Sequence, residues 1–288
     1  MAGSFAHLHV HTEFSMLDGA SRVGELAATA AADGQPAMAM TDHGNMYGVL
    51  DFYRECNDAG VKPIIGTEAY MAHDHRSERP KRRGRLDDSG GDTESGKLYY
   101  HLCLLAENQV GYKNLIQLSS RAYLEGYYYK PRADWELLSE HHEGLIALTG
   151  CLSGRAALLL KDGNDDAALA DVRRLAELLG PENVYVELQD AGLPEQREML
   201  PKLAALAERA GLRTVATNDV HYLCHEDSRA HDALLCIQTQ SNLADEDRMR
   251  YGSDEFYLKS GAEMAERFRE YPGACETTAE IAERCNVT

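Results

Sequence analysis

The residues able to do chemistry come first in the chain. The stretch AHLHVHTEFSMLDG, residues 6–19, carries His7, His9 and His11 at alternate positions and Asp18 in a glycine-containing turn. Side chains two apart on a strand leave from one face, so neighbouring imidazoles there can share an ion. Ring nitrogens and one carboxylate make an incomplete ligand set, and an isolated HxH also occurs as ordinary core or surface histidine. The missing ligands must come from elsewhere.

They recur at the ends of apolar segments. Such segments lie at residues 6–10, 37–41, 63–71, 99–106, 145–148, 184–188 and 214–217. Most are apolar on both faces and predict buried parallel strands. His43 follows the second, Glu68 lies in the third, His101 in the fourth, Cys151 after the fifth, and Asp219 and His221 after the seventh. The sixth offers only Glu187 and Gln189. α/β folds build their sites at the C-terminal ends of strands. A lone buried His, Asp or Glu is costly unless paired or bound to a metal. The pattern therefore predicts a multinuclear metal site. Imidazole, carboxylate and one thiolate suit Zn²⁺, with Mn²⁺ and Fe²⁺ compatible. Three dications beside ionised Asp18, Glu68, Cys151 and Asp219 would leave a net charge of about +2, suited to a phosphate. Two ions about 4 Å apart can serve the attacking and leaving oxygens of an in-line displacement. The implied chemistry is phosphoester hydrolysis.

The elements that must position these groups follow from periodicity. Residues 23–33, 50–59, 167–179 and 195–210 have helical apolar spacing and stop at Gly34, Gly60, Gly180 and Gly211, the usual helix stop. Alternating strand and helix predicts an α/β fold, an irregular (β/α)7 TIM-like barrel, with a doubly wound open sheet as the alternative. A helical C-terminal extension follows at 228–240, 262–271 and 275–285, where Ser260 and Glu263 fit a capping box. The 288 residues suit a single barrel.

Two segments stand apart. Residues 73–97 carry Arg79, Lys81, Arg82, Arg83 and Arg85, then Asp87, Asp88, Asp92 and Glu94. They read as a solvated insertion or as a basic arm for a phosphate backbone. In GYYYKPR, Tyr127, Tyr128, Tyr129, Lys130 and Arg132 interleave aromatic and basic groups. They read as a base-stacking surface or as a loop packed on the barrel rim. His7 is expected to support the site. His73 and His75 are expected in solvent, His141 and His142 away from the site, and His225 and His231 packed on helices. Cys103, Cys224 and Cys236 read as buried thiols.

Bulk properties narrow the class. A net charge of −18 argues against nucleic-acid binding by the whole surface. No apolar run is long enough to span a membrane, and the N-terminus lacks a secretory pattern. Seven cysteines without a CxxC pair point to a reducing compartment.

HLHVHTEFSMLDGA, MTDHGNMYGVLDFY, PIIGTEAYM, YYKPRADWELL, LTGCLSG and ATNDVHY together resemble the polymerase-and-histidinol-phosphatase (PHP) family. The likeness is to the version at the N-terminus of the bacterial DNA polymerase III alpha subunit, and it covers nearly the whole chain. It implies three ions: His9, His11, Glu68 and Asp219 on one; Asp18, His43 and His221 on a second; Glu68, His101 and Cys151 on a third, with Glu68 bridging. All nine positions carry ligand-capable residues here. The implied activity is a metal-dependent 3′–5′ exonuclease that proofreads for a cytoplasmic, nucleoid-associated replisome. Its implied partners are the DNA primer 3′ end, the remainder of the polymerase chain, and through it a sliding clamp or proofreading subunit. Residues 1–270 would form the phosphoesterase domain, with 73–97 as an insertion. Residues 271–288 would begin a helical connection to an absent polymerase region. A catalytically silent, metal-stabilised interaction module and a small-molecule phosphatase are the alternatives.

Overall fold

The apolar runs and the glycine-terminated amphipathic stretches fold as strands and helices in alternation. The computed structural model describes residues 5–83, 92–93 and 96–288. Its strands are β1 (Ala37–Met40), β2 (Lys62–Met71), β3 (Arg82–Arg83), β4 (Asp92–Thr93), β5 (Gly96–Lys97), β6 (Tyr100–Ala106), β7 (Arg132–Ala133), β8 (Leu145–Leu148), β9 (Val184–Gln189) and β10 (Arg213–Thr217). Its α-helices are α1 (Val23–Asp33), α2 (Val49–Ala59), α3 (Gln109–Gly126), α4 (Trp135–Glu140), α5 (Arg155–Lys161), α6 (Asp165–Leu179), α7 (Pro194–Ala210), α8 (Ser228–Thr239), α9 (Gly261–Arg267) and α10 (Glu276–Arg284). Of the 73–97 insertion, Arg85, Asp87, Asp88 and Glu94 lie outside the described residues.

The main sheet runs β1-β2-β6-β8-β9-β10, with β7 beside the end of β2. The pairs β1/β2, β8/β9 and β9/β10 are parallel. β6 is antiparallel to both β2 and β8, which corrects the expectation of parallel strands throughout. The connection explains it. A parallel return needs a long crossover, usually a helix. Between β2 and β6 the described residues hold no helix, only the small antiparallel sheet β3-β4-β5. The chain therefore turns back. His101, near the start of β6, pairs with Tyr70 near the end of β2 and so reaches the same edge.

Residues 6–11 do not form the regular strand expected of them. They make isolated bridges, His7 to Met38 and Val10 to Val220. On one side Ala39 N donates to His7 O (2.7 Å) and Thr41 N to Val10 O (2.9 Å). On the other, His11 N donates to Val220 O (2.7 Å) and Val220 N to His9 O (3.1 Å). Both edges of the sheet thus meet one irregular segment, and the sheet curls into a partial TIM-like barrel.

Strand alternation sorts the core. Ala37, Ala39, Ile64, Cys103, Leu105, Ile146, Leu148, Tyr185 and Val215 form one inner cluster with Ala6 and Leu8. Met38, Met40 and Ile65 face α1 and α2 instead. Further along the same inner register come Glu68, four residues past Ile64, and His101 and Glu187, each two residues from Cys103 and Tyr185, so the same alternation that fills the barrel lifts these groups above it. A bend at His9 breaks the alternation in the first segment, because Leu8 packs inside but Val10 packs outside. His9 and His11 turn inward. His7 leaves from the other face and bonds to Lys259 O at 2.8 Å, so the three histidines do not share one face.

At the far end of the barrel, Ile281 and Ala282 of α10 and Cys285 just after it complete the inner cluster. Lys62 Nζ donates to Ala282 O (2.7 Å), and Arg213 pairs with Glu280 (2.6 Å). Helix α9 ends at Arg267, short of the expected 271, and its Ser260–Glu263 capping box is present. Among the described residues no helix is long and apolar enough to cross a membrane.

Helix α3 packs unusually close to the turn before β8. A Cβ on Gly111 would lie 1.8 Å from Gly144 O. Gly111→Ala is therefore expected to destabilise the chain by about 2 kcal/mol, typical of overpacking a tight contact, as measured by urea unfolding of metal-free protein.

Candidate metal centre

The edge shared by the strand ends gathers the side chains singled out from sequence into three overlapping groups. In the first, His9 Nε2 and His11 Nε2 stand 3.3 and 3.2 Å from Asp219 Oδ1. The same nitrogens lie 3.4 and 3.3 Å from the Glu68 oxygens. In the second, Asp18 Oδ2 is 2.9 Å from His43 Nε2 and 3.3 Å from His221 Nε2. In the third, Glu68 Oε1 is 2.9 Å from His101 Nδ1 and 3.5 Å from Cys151 Sγ. Glu68 Oε2 also meets His43 Nδ1 at 2.9 Å, which joins the groups.

The rings are aimed by their other nitrogens. Glu187 Oε1 takes His9 Nδ1 at 2.7 Å, while Glu187 Oε2 accepts from Gly150 N at 3.0 Å. Ser15 Oγ sits 3.0 Å from His11 Nδ1 and donates to Asp42 Oδ1 at 2.7 Å. His221 Nδ1 donates to Asp219 O at 2.8 Å. Asp219 itself has φ 52°, a left-handed conformation that Asp tolerates better than most residues. Carboxylates and carbonyls behind metal-binding histidines fix ring orientation in this way.

The electrostatics demand cations. Asp18, Glu68 and Asp219 are buried together, and among the described residues no lysine or arginine pairs with them. Burial alone would raise Glu68, but the imidazoles of His101, His9 and His43 hold it well below the usual carboxylate range. Asp18 is likewise held low against burial by His221 and His43. Burial opposes a charge on His9, yet Glu187, Asp219 and Glu68 carry it well above the ordinary imidazole value. Burial, with Glu68 and Asp219, pushes the Cys151 thiol well up. Without ions, protons on the histidines must balance the carboxylates.

Buried His9 Nε2, His11 Nε2, His101 Nε2, Glu68 Oε2 and Asp219 Oδ1 make no hydrogen bond. Buried polar atoms are normally satisfied. Convergent nitrogen and carboxylate donors left bare are the donor set of a divalent cation. The residues fit such ions. His43, Glu68, His101, Cys151, Asp219 and His221 floor a cavity of about 220 Å³ whose walls include Leu152, Leu193, Met249, Tyr251 and Phe256, while His9, His11 and Asp18 are buried and do not line it.

The PHP domain family matches residues 7–191. The chain belongs to the PHP domain family. It is 48% identical over 284 residues to the DNA polymerase III subunit alpha of Treponema pallidum, covering 99% of this chain and 23% of that protein. The subunit alpha of Saccharopolyspora erythraea is 46% identical, with 97% and 24% covered. This PHP domain thus spans about a quarter of the length of the curated relatives it matches. A solved amidohydrolase of Chromobacterium violaceum aligns with TM-score 0.43 and 14% identity, over 75% of this chain and 87% of that one.

Several expectations need correction in the PHP domain. Arg132, offered as a nucleic-acid contact, is only 1% exposed. Its guanidinium donates to Gly126 O (3.2 Å), Arg76 O (3.0 Å) and Glu78 O (2.6 Å), so it fastens three backbone turns. Tyr127 and Tyr129 are exposed, whereas Tyr128 donates to Pro80 O at 2.8 Å. Lys130 lies over the Tyr70 ring at 5.1 Å, and that ring stacks on His43. His73 is half-buried, with Arg155 Nη1 3.2 Å from its Nδ1, and so is not a solvent residue. His225 does not pack on a helix; it is half-exposed, 3.1 Å from Asp254. Cys224 is exposed, not buried. His231 is buried, and His75 faces solvent. Glu187 and Gln189 lie behind His9, at 2.7 and 3.3 Å from its Nδ1. Sequence reasoning missed Tyr251, which bonds to both Asp18 and His221 from a polar stretch with no periodic signal.

Glu187→Gln keeps the volume but weakens the hold on His9. Metal affinity is expected to fall about 10- to 100-fold, the usual loss for an outer partner, measured by chelator competition. Arg132→Met should lower the melting temperature of the PHP domain while leaving metal stoichiometry unchanged, because it takes a donor from three carbonyls, those of Gly126 and Arg76 in buried bonds.

Proposed function

We propose that this PHP domain is a metal-dependent phosphodiesterase, the 3′–5′ proofreading exonuclease of a bacterial replicative polymerase. The observation that carries the reading is the set of convergent nitrogen and carboxylate atoms without hydrogen bonds, of which those of Glu68, His101 and Asp219 belong to the floor of an open cavity. A structural ion site is closed by its protein ligands, whereas a catalytic one keeps room for water and substrate. Three divalent ions fit the proposal, with Zn²⁺ favoured by the thiol and imidazoles and Mn²⁺ or Fe²⁺ compatible. His9, His11, Glu68 and Asp219 would hold the first, Asp18, His43 and His221 the second, and Glu68, His101 and Cys151 the third. When bound, such ions polarise a phosphodiester and activate water for in-line attack.

The chain's own residues bind, aim and shield. Glu187, Ser15 and the Asp219 carbonyl hold the ring planes of His9, His11 and His221. Leu152, Leu193, Met249 and Phe256 limit water at the cavity wall. Tyr127, Tyr129 and Lys130 would meet the primer strand, since Tyr127 and Tyr129 are exposed and Lys130 reaches back over Tyr70 toward His43. A mispaired end unpairs at lower cost and enters more readily. Residues 1–270 would form the phosphoesterase unit, and 271–288 would lead to the polymerase region of the relatives, in the bacterial cytoplasm.

The test is release of nucleotides from a 3′-labelled, mispaired primer by nuclease-free, metal-loaded protein. Asp219→Ala is expected to lower release by more than the roughly 100-fold seen for outer partners, and chelation should abolish it. Absence of release, with Asp219→Ala lowering only the melting temperature, would assign the ions a structural role. Phosphate release from histidinol phosphate without primer degradation would assign a small-molecule substrate.

A further inference from the structure

Tyr251 stands where the second group of donors opens into the cavity. Its phenol oxygen lies 3.0 Å from His221 Nε2 and donates to Asp18 Oδ1 at 3.3 Å. His221 Nδ1 is spent on the Asp219 carbonyl, so Nε2 is the one ring atom left to ligate. The phenol covers that atom. The first group is different: His9 Nε2 and His11 Nε2 face Asp219 Oδ1 and the Glu68 oxygens at 3.2 to 3.4 Å, and neither the two nitrogens nor Asp219 Oδ1 make a hydrogen bond. Two halves of one cluster thus differ in what a cation must displace.

The phenol is delivered by a defined frame. The Tyr251 ring packs against His231 at 4.9 Å and Phe256 at 4.6 Å between centroids. Residues 241–255, which carry it, contain neither helix nor strand. The Arg248–Asp232 ion pair, three residues before Tyr251, and buried Phe256, five after it, bracket the phenol-bearing part of that stretch. Met249, Arg250, Tyr251 and Gly252 form the cavity wall on this side. A small shift of this wall moves the phenol without disturbing a regular element.

We propose that Tyr251 is a reversible plug on the Asp18–His43–His221 half of the site, so that the His9–His11–Asp219 half fills first and the second half fills only as the phenol withdraws. The proposal rests on the reading of both halves as ion-holding groups. It makes Tyr251 a positioning residue that sets the order and affinity of filling.

The experiment is a Zn²⁺ titration of the metal-free full chain against a competing chelator, with amide exchange followed across residues 249–252. In the wild type the ions of the first and second groups are expected to bind in separate phases, beside whatever phase belongs to the Glu68–His101–Cys151 ion. His9→Gln should remove the tighter phase and Asp18→Asn the weaker. Tyr251→Phe should strengthen the weaker phase roughly ten- to a hundredfold, the size of one hydrogen bond to a charged carboxylate released, and leave the tighter phase in place. Zinc should speed exchange at 249–252 in the wild type. Weaker or unchanged second-phase binding in Tyr251→Phe overturns the plug, because the phenol would then support the ion or ignore it. If Asp18→Asn alters no phase, the ion-holding reading falls and the plug with it. If Asp18→Asn removes a phase that Tyr251→Phe does not move, only the plug falls.

Discussion

A single buried carboxylate, Glu68, has to satisfy more neighbours than it has lone pairs to give. His43, His101, His9, His11 and Cys151 all approach its two oxygens within 3.5 Å. Water cannot share the load, because Glu68 is buried. In the metal-free chain the surrounding imidazoles must carry enough protons to hold it ionised, which is why its affinity for a proton is driven down. Each of those protons is a place a cation would take. The fold is arranged to enforce this crowding. β2 delivers Glu68 from the inner register, β6 returns antiparallel so that His101 meets it, and the turn after β8 brings Cys151 alongside.

The segment 6–11 ties that crowding to the architecture. Its backbone bonds stitch both edges of the sheet, and its side chains supply His9 and His11. The donor atoms therefore cannot spread apart without opening the seam of the barrel. Holding ligands on backbone that is itself hydrogen-bonded on both sides is what preorganises a site. The cost is electrostatic, since the curled sheet forces three carboxylates into a volume with no fixed cation among the described residues. Fold stability and ion binding are linked in such a chain: whatever binds the folded state and not the unfolded one stabilises it by mass action.

Much of this was readable from residue types. Gly60, in left-handed conformation at φ 76°, ends α2 where the periodicity stops, and the Ser260–Glu263 box opens α9. The donor positions came from strand ends, because alternation leaves few ways to place a charged group in an apolar run. What escaped was set by tertiary context. Helix α3 has weak amphipathic contrast and an internal glycine; its one local signal is Asn108, whose side chain caps Val110 N and Gly111 N. The reversal of β6 depends on what the connection lacks. The bend at His9, which sends His7 to the Lys259 carbonyl, needs two different edges to satisfy one backbone segment. Arg132 looked like a surface cation because a charge pattern cannot say whether carbonyls will gather around it.

Charge sets the last constraint on function. A chain of net −18 repels a polyanion at long range. Arg76 is neutralised by Glu125 and Asp134, and neither it nor buried Arg132 lines the cavity, whose wall holds a single arginine among the described residues, Arg250. Protonated histidines inside the cluster do not help either, because the carboxylates beside them already balance that charge. Only dications replacing those protons reverse the sign at the cavity floor. On the proposed function, attraction for a phosphodiester and occupancy by metal are then the same variable. A partly filled site would be slow for two reasons at once, weak capture and weak chemistry. The surrounding negative field confines productive approach to the cavity itself, which disfavours phosphates held anywhere else on the surface.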